Sequence, residues 1–454
     1  MPTMTSLLPS AHALTALLAL AGACVGLPAC QTVASIPSIT EPAWTGPKVD
    51  KLFKAEPEVC VRIHKGMTGL DVSGPAYVVV RQAGAGTVSA DLMHTPVRIS
   101  SGARGVIVQD AAGTRKEWGF GNDIEVVVND GTAEGTVKAA GQSLSLNGTP
   151  YPGFATVRPA WSTNPTSFDV SVTMGIESYL PGVLTHELFK DWPRQTYEAQ
   201  AIAARTYALH ERYRARGEGR SFDVEDTDAD QVFGGATKSL VANEAVRATR
   251  GLVLTDDGKL IRAYYSSTCG GRPASAKYTW PRKPGTEFNF APSIQGEPRE
   301  WACKDATFFR WTVTRDDVEL SRRIKAWGKL YKNELTSMSR VREIKPDSSN
   351  DAGRPNAYRV TDDSGHSYVM TAEELRTASN WAAADAPPIT RENRVSSGDF
   401  EVVTYANQLQ FRGRGWGHGV GMCQWCAKGF ADQGWDWQKM MTQFYPGADV
   451  VKAY

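Results

Sequence analysis

Cys423 and Cys426 form a Cys-x-x-Cys pair inside GRGWGHGVGMCQWCAKG, residues 413–429. Two thiols one helical turn apart suit three chemistries. They are half of a four-thiolate zinc site, a redox dithiol when a helix start lowers their pKa, or disulfide partners in an oxidising compartment. No second Cys-x-x-Cys completes the zinc signature, and no thioredoxin-like βαβ pattern surrounds the pair. His186-Glu187 begins a zinc-protease motif, but Lys190 stands where its second histidine is needed. The same Gly-rich stretch alternates Gly413, Gly415, Gly417, Gly419 and Gly421 with Arg414, Trp416, His418, Val420 and Met422. In an extended strand one face would be bare and the other would carry these side chains. A bare face admits a close backbone or a ligand.

These residues need elements to hold them. In YEAQAIAARTYALHERYRARG, Ile202, Thr206, Leu209 and Tyr213 recur at helical spacing, after Pro193 in the first turn and before Gly217 as a stop. Pro181 is expected to open a shorter helix with Val183, Leu184, Glu187 and Leu188. Gln424 to Asp432 reads as a helix stopped by Gly434, with Asp436 capping the next. Between Cys60 and Val172, runs such as AYVVVRQ and DIEVVVND are separated by the turn signals NDG and LNGTPY, which predicts hairpins. GLVLTDDGKLIRAYYSSTCGG reads as another hairpin around DDG. Later, DDVELSRRIKAW predicts a helix, and AYRVTDD and DFEVVTY predict strands. The expected fold class is α+β: an N-terminal β-rich hairpin domain (56–172), a mixed α/β domain in two parts (173–304 and 411–454), and an inserted or accessory α+β segment (305–410).

A formal net charge of +1 over 454 residues gives no electrostatic reason to bind nucleic acid. HALTALLALAGACVGLPAC is apolar, ends in small residues and is short for a membrane span, so residues 1–30 are expected to be an export signal. LPAC is similar to a bacterial lipoprotein box. It makes Cys30 the expected lipidation site, with an ordinary cleaved signal as the simpler alternative. Residues 31–55 read as a linker. The expected location is the cell envelope, in the periplasm or at the cell surface, with the membrane reached only through that N-terminal anchor.

Four blocks in a fixed order carry a resemblance: IESYLPGVLTHELFKDWPRQTYEAQAIAARTYAL, DTDADQVFGG, ATRGLVLTDDGKLIRAYYSSTCGG and GRGWGHGVGMCQWCAKGFADQGWDWQKMMTQFYPGADV. Together they resemble the stage II sporulation protein D family, which includes the amidase-enhancer proteins. The resemblance implies activity on peptidoglycan, with the mixed α/β domain as the catalytic domain. Family members include lytic transglycosylases of peptide-stripped glycan strands and activators of a cell-wall amidase. The family's catalytic acid falls on Glu187. Within the matched blocks, Arg205, Gln231, Tyr265, Arg414, Trp416, His418 and Gln424 are the expected substrate contacts. The partners implied are glycan strands and a cell-wall amidase, and no cofactor is required.

The chemistry suits one carboxyl. A lytic transglycosylase protonates the glycosidic oxygen and then, as carboxylate, takes the proton of the sugar's own 6-hydroxyl, whose tethering raises its effective concentration. The acid must stay protonated near neutral pH, which calls for burial. Leu184, Leu188 and Phe189 flank Glu187. The rival carboxylates are Glu177, suited to a helix N-terminus, and Asp191, suited to capping the following helix. The alternative is a non-catalytic glycan binder that activates an amidase; a zinc-stabilised structural wall protein is a third reading. Where the family usually has Ser and Gly, this chain has Cys423 and Cys426. Some relatives carry Cys at the Cys269 position and near Cys303, so all four are expected close together. Export makes two disulfides the first expectation, a structural zinc the second and a redox dithiol the third. Zinc held by His and Cys occurs in the family, but those ligand positions do not match well enough to assign a metal here.

Overall fold

Period-two burial builds the first half of the chain. In Glu58–Met67, Val59, Val61 and Ile63 are buried while their neighbours face outward. In the computed structural model, residues 42–49, 53–84, 90–119, 121–128, 143–160, 166–280, 283–331 and 333–454 are described. The expected export signal, Cys30, residues 31–41 and 50–52 of the expected linker, and the NDG turn lie outside them. One sheet runs in the order Val224–Glu225, Glu58–Met67, Phe168–Gly175, Phe154–Pro159, Ile124–Val128, Tyr77–Gln82, Ala90–His94. A second runs Thr149–Pro152, Ser143–Leu146, Gly69–Ser73, Val97–Gly102, Gly105–Gln109, Arg115–Gly119. Val61, Leu70, Val78, Ile99 and Val126, drawn from both sheets, share one core. The LNGTPY hairpin forms as its turn chemistry predicts, with Asn147 and Gly148 at φ 48° and 86°.

The strand Phe168–Gly175 runs directly into helix α1 (Ile176–Glu187). Pro181 lies inside this helix and does not open it. The earlier start has a distant cause. The Glu177 N–H donates to the Glu56 carboxylate at 3.2 Å, and the Ile176 N–H donates to the Pro57 carbonyl at 3.0 Å. Those partners satisfy the exposed first turn. Leu180, Val183 and Leu184 are fully buried, each stabilising by about 1.5–3 kcal/mol. Truncating Leu184 to Ala would cost about 2–5 kcal/mol.

Helix α2 (Arg194–Gly217) follows Pro193, as its sequence predicts. Asp191 does not cap it: the N-cap is Pro193, without a side-chain hydrogen bond. Ala201, Ala204 and Leu209 face the first core, while Ala199, Ile202 and Ala203 face a second. Small side chains on both flanks let α2 run between two cores. The remaining helices are α3 (Leu240–Ala248), α4 (Ala276–Thr279), α5 (Asp317–Tyr331), α6 (Ala372–Ser379), α7 (Gln424–Asp432) and α8 (Trp437–Phe444). Asp436 caps α8 by accepting from the Lys439 N–H at 2.8 Å. Residues 311–413 hold two three-stranded sheets with α5 and α6 around a third core that includes Leu320, Ile324 and Tyr358. Among the described residues, no helix is long and apolar enough to cross a membrane.

The Gly-rich stretch corrects an expectation. Beyond Gly413, the end of strand Gln408–Gly413, it is not an extended strand. Gly415, Gly417, Gly419 and Gly421 have φ of 85°, 91°, 78° and 69°, so every second residue is left-handed. Isolated bridges join it to its neighbours at Trp416 with Thr268 and at Val420 with Ala274. The close backbone approach is present, however. A Cβ on Gly421 would lie 2.1 Å from the Tyr264 carbonyl oxygen, and one on Gly415 would lie 2.6 Å from that of Thr268. Glycine is needed here for both conformation and contact.

Candidate functional site

Glu187 is the last residue of α1 and is partly exposed. Gln424 Nε2 donates to its Oε2 at 3.0 Å, and the Tyr265 hydroxyl donates to its Oε1 at 3.4 Å. Burial of the carboxyl pushes its pKa above the ordinary glutamate value, against the opposing hydrogen bonds from Gln424, the Val232 backbone and Tyr265. The negative end of the α1 dipole acts in the same direction as burial. Burial, with the Glu187 charge beside it, holds the Tyr265 phenol well above its usual pKa, so Tyr265 remains a donor. Leu184 and Leu188 are buried here, whereas Phe189 turns outward.

A second layer fixes these groups. Gln231 Nε2 donates to the Tyr265 hydroxyl at 3.0 Å and to the Ala204 carbonyl at 3.2 Å, and its Oε1 accepts from Tyr179 at 3.3 Å. Gln231 is fully buried. It therefore orients Tyr265 from behind and does not meet a substrate, contrary to the expectation from sequence. The QVFGG segment presses on α1: a Cβ on Gly234 would lie 1.8 Å from the His186 ring.

Glu187 opens into a cleft of about 470 Å³ that also takes in Tyr265, Trp416, His418 and Gln424. Trp416 packs on Phe308 with ring centroids 4.4 Å apart, and Trp280 stacks on Tyr264 at 4.2 Å. The His418 Nδ1 accepts from the Val420 N–H at 3.0 Å, which leaves the ring proton on Nε2. Burial lowers the His418 pKa to about 4, so the ring is neutral at neutral pH. Asp230, another carboxylate in the lining, is engaged on both oxygens, by the Tyr207 hydroxyl at 3.0 Å and the Glu225 N–H at 2.9 Å. A second cavity of about 470 Å³ shares Trp280 and Glu373 but contains neither Glu187 nor its donors.

Two expected substrate contacts lie elsewhere. Arg205 is fully buried, and its Nε and Nη2 donate to the two Glu177 oxygens at 3.0 and 2.9 Å. The Gly251 N–H adds a 3.0 Å bond to Glu177. Glu177 and Arg205 are thus a structural pair beneath α1. Arg414 lies outside the cleft lining, and its N–H donates to the Asp399 carbonyl at 2.9 Å.

The four cysteines expected close together do converge. All five described cysteines are free. Cys269, Cys303, Cys423 and Cys426 are buried, with their sulfurs all within 4.8 Å of one another. Hydrogen bonding from Cys269, and from Cys423 and Cys426, holds the Cys303 thiol far below its usual pKa, while burial raises Cys423 and Cys426.

Comparison with known proteins bears on this arrangement. A family model described as stage II sporulation protein matches residues 164–255, the segment that carries Glu187 and Gln231. A domain of unknown function matches 287–421. Stage II sporulation protein D of Bacillus amyloliquefaciens is 24% identical over 294 residues, covering 61% of this chain and 74% of the relative. The chain belongs to the stage II sporulation protein D family. Within that family, the amidase enhancer of Bacillus subtilis is 26% identical over 295 residues, covering 60% of this chain but only 40% of the relative. An uncharacterized protein of Brachyspira hyodysenteriae is 30% identical over 319 residues, covering 70% of this chain and 77% of the relative.

The cleft also holds residues that the family blocks did not single out. Arg262 ion-pairs with Glu211 at 2.8 Å and donates to the Tyr207 and Tyr264 hydroxyls at 2.9 and 2.8 Å. It lay within a matched block, so its position was a usable signal. Glu373 and Arg376 come from α6, far along the chain. No pattern in 372–379 marks them as cleft residues.

Proposed function

We propose that the protein is a lytic transglycosylase of the cell envelope, cleaving the MurNAc–GlcNAc β-1,4 bond of peptide-stripped glycan strands. The observation that carries this reading is Glu187: a carboxyl with a raised pKa, held by two donors, at the wall of an aromatic cleft. Its protonated form gives the proton to the glycosidic oxygen as the C1–O bond breaks. The 6-hydroxyl oxygen of the same sugar then bonds to C1, and its proton returns to Glu187. The product ends in a 1,6-anhydro ring, no water is consumed, and the acid is regenerated. Between the two transfers Glu187 is an anion, and Gln424 and Tyr265 stabilise that state. Trp416 and Trp280 offer apolar faces to sugar rings. An export signal and a lipid anchor at Cys30 would place the enzyme against its substrate.

The test is digestion of peptide-free glycan strands with mass spectrometry of the new ends. Anhydro ends support the reading, and reducing ends overturn it. The relative named amidase enhancer favours a second reading, in which this chain binds glycan and activates a wall amidase without turning over itself. That reading requires glycan binding with no released fragments from the wild-type protein.

A further inference from the structure

The four buried cysteines come from three separate stretches of chain. Cys269 follows the short strand Tyr265–Ser266, Cys303 precedes the third core, Cys423 is the N-cap of α7, and Cys426 lies in its first turn. Cys269 Sγ lies 3.8 Å from Cys303 Sγ and 3.8 Å from Cys426 Sγ. Two disulfides would sort four sulfurs into two pairs, each about 2.05 Å apart. Here Cys269 is equidistant from two partners. A zinc–sulfur bond of about 2.3 Å in tetrahedral geometry puts ligand sulfurs about 3.8 Å apart. Both Cys269 contacts match that spacing, and the other sulfur pairs all lie within 4.8 Å, close enough for four ligands around one ion.

The backbone supports anionic sulfur independently of the spacing. The N–H groups of Cys269 and Cys426 both donate to Cys423 Sγ at 3.3 Å, and the Ala302 N–H donates to Cys426 Sγ at 3.4 Å. Cys423 and Cys426 also sit at the positive end of α7, where thiolates are favoured. Such donors are the usual outer layer of a metal–thiolate site. Four thiolates buried without a cation would be prohibitively costly.

We propose that Cys269, Cys303, Cys423 and Cys426 bind one zinc ion as four thiolates, in a closed structural site directly behind the Glu187 cleft. With all four positions filled by protein, the ion has no open position for water and serves structure. Its location gives it a definite task. Tyr265 and Ser266 pair in parallel with Met422 and Cys423, and Gln424 is the next residue. The ion therefore ties together the two segments that aim Tyr265 and Gln424 at Glu187. It also accounts for the departure of Cys423 and Cys426 from the family's usual residues.

The experiment is elemental analysis of the full chain purified from its native cell without reductant or chelator, followed by mercurial titration of its thiols. The expected result is about one zinc per chain, released in step with modification of four buried thiols. The Cys426→Ser protein should lose the zinc, whereas Cys60→Ser, at a partly exposed cysteine outside the cluster, should keep it. If Cys426→Ser does not fold, the stoichiometry and release measured on the wild type still decide. Iron in place of zinc, four reduced thiols without metal, or four oxidised thiols would each overturn the proposal. None of these readouts uses glycan cleavage, so the zinc site can stand if the transglycosylase reading falls, and the reverse.

Discussion

Replacing Glu187 with Gln removes one proton and little else. The amide keeps the volume of the carboxyl and keeps an acceptor for Gln424 or Tyr265, whose distances to Glu187 are 3.0 and 3.4 Å. The aromatic lining is untouched, so KM should change by no more than a few fold. The turnover should fall by the acid–base share of catalysis, about 10²–10⁴-fold, which corresponds to about 3–5 kcal/mol of barrier. Folding should not suffer, because a neutral amide at this helix C-terminus avoids the desolvation cost that raises the Glu187 pKa. The melting temperature of E187Q should equal or exceed that of the wild type, which separates lost chemistry from lost structure. The pH dependence has a fixed sign. In the proposed mechanism the acid form initiates the reaction, so the wild-type kcat/KM should fall as pH rises through the raised Glu187 pKa, and E187Q should lack this alkaline limb. The assay counts anhydro ends released from peptide-free glycan strands across a pH series. E187Q activity within a few fold of wild type, or a wild-type rate that climbs through that limb, would refute the reasoning.

Three further perturbations probe the surrounding structure. Gln424→Leu removes a donor to the anionic form of Glu187; a hydrogen bond to a charged group contributes about 1.5–3 kcal/mol, so turnover should drop about 10- to 150-fold and the alkaline limb should move to higher pH. An unmoved limb would show that Gln424 does not contact the working carboxylate. Arg205→Ala leaves Glu177 without its buried partner and should cost about 3–5 kcal/mol in urea unfolding, with glycan affinity of the folded protein unchanged. A selective loss of affinity would return Arg205 to the cleft. His418 has a folded pKa of about 4 against 6.5 for the free side chain. The unfolded chain therefore binds the extra proton between those values, and its share of stability, full above pH 6.5, is lost as pH falls towards 4. The loss is at most about 3 kcal/mol, reduced by the ring's partial exposure. In His418→Asn, thermal melts across that range should show a shallower pH slope than wild type.

Much of the scaffold was legible because local rules govern it. The spacing of Ile202, Thr206, Leu209 and Tyr213 between Pro193 and Gly217 marks α2. Asn147-Gly148 marks its hairpin, because few other pairs accept two left-handed residues. Pro181 misled for an equally physical reason: the first turn of α1 is satisfied by Glu56 and Pro57, which no reading of the local window includes. The glycine alternation correctly signalled a crowded backbone, but period-two reasoning assumed an extended chain. Four positive φ angles replaced the flat face with a ribbon, and of its side chains Trp416 and His418 line the cleft while Arg414 does not.

By itself the sequence determined residue types and short-range geometry: the helices, the hairpins, the family blocks and the carboxyl at the end of α1. Only the tertiary structure decided which side chains share a volume. It paired Arg205 with Glu177 below the surface, set Gln231 behind Tyr265, brought Gln424 to Glu187 and Glu373 to the same cleft, and gathered Cys269, Cys303, Cys423 and Cys426 around one point. The reason is range. Capping, turn and periodicity signals act over a few residues, whereas burial, ion pairing and thiol convergence depend on segments that meet only after the chain has folded.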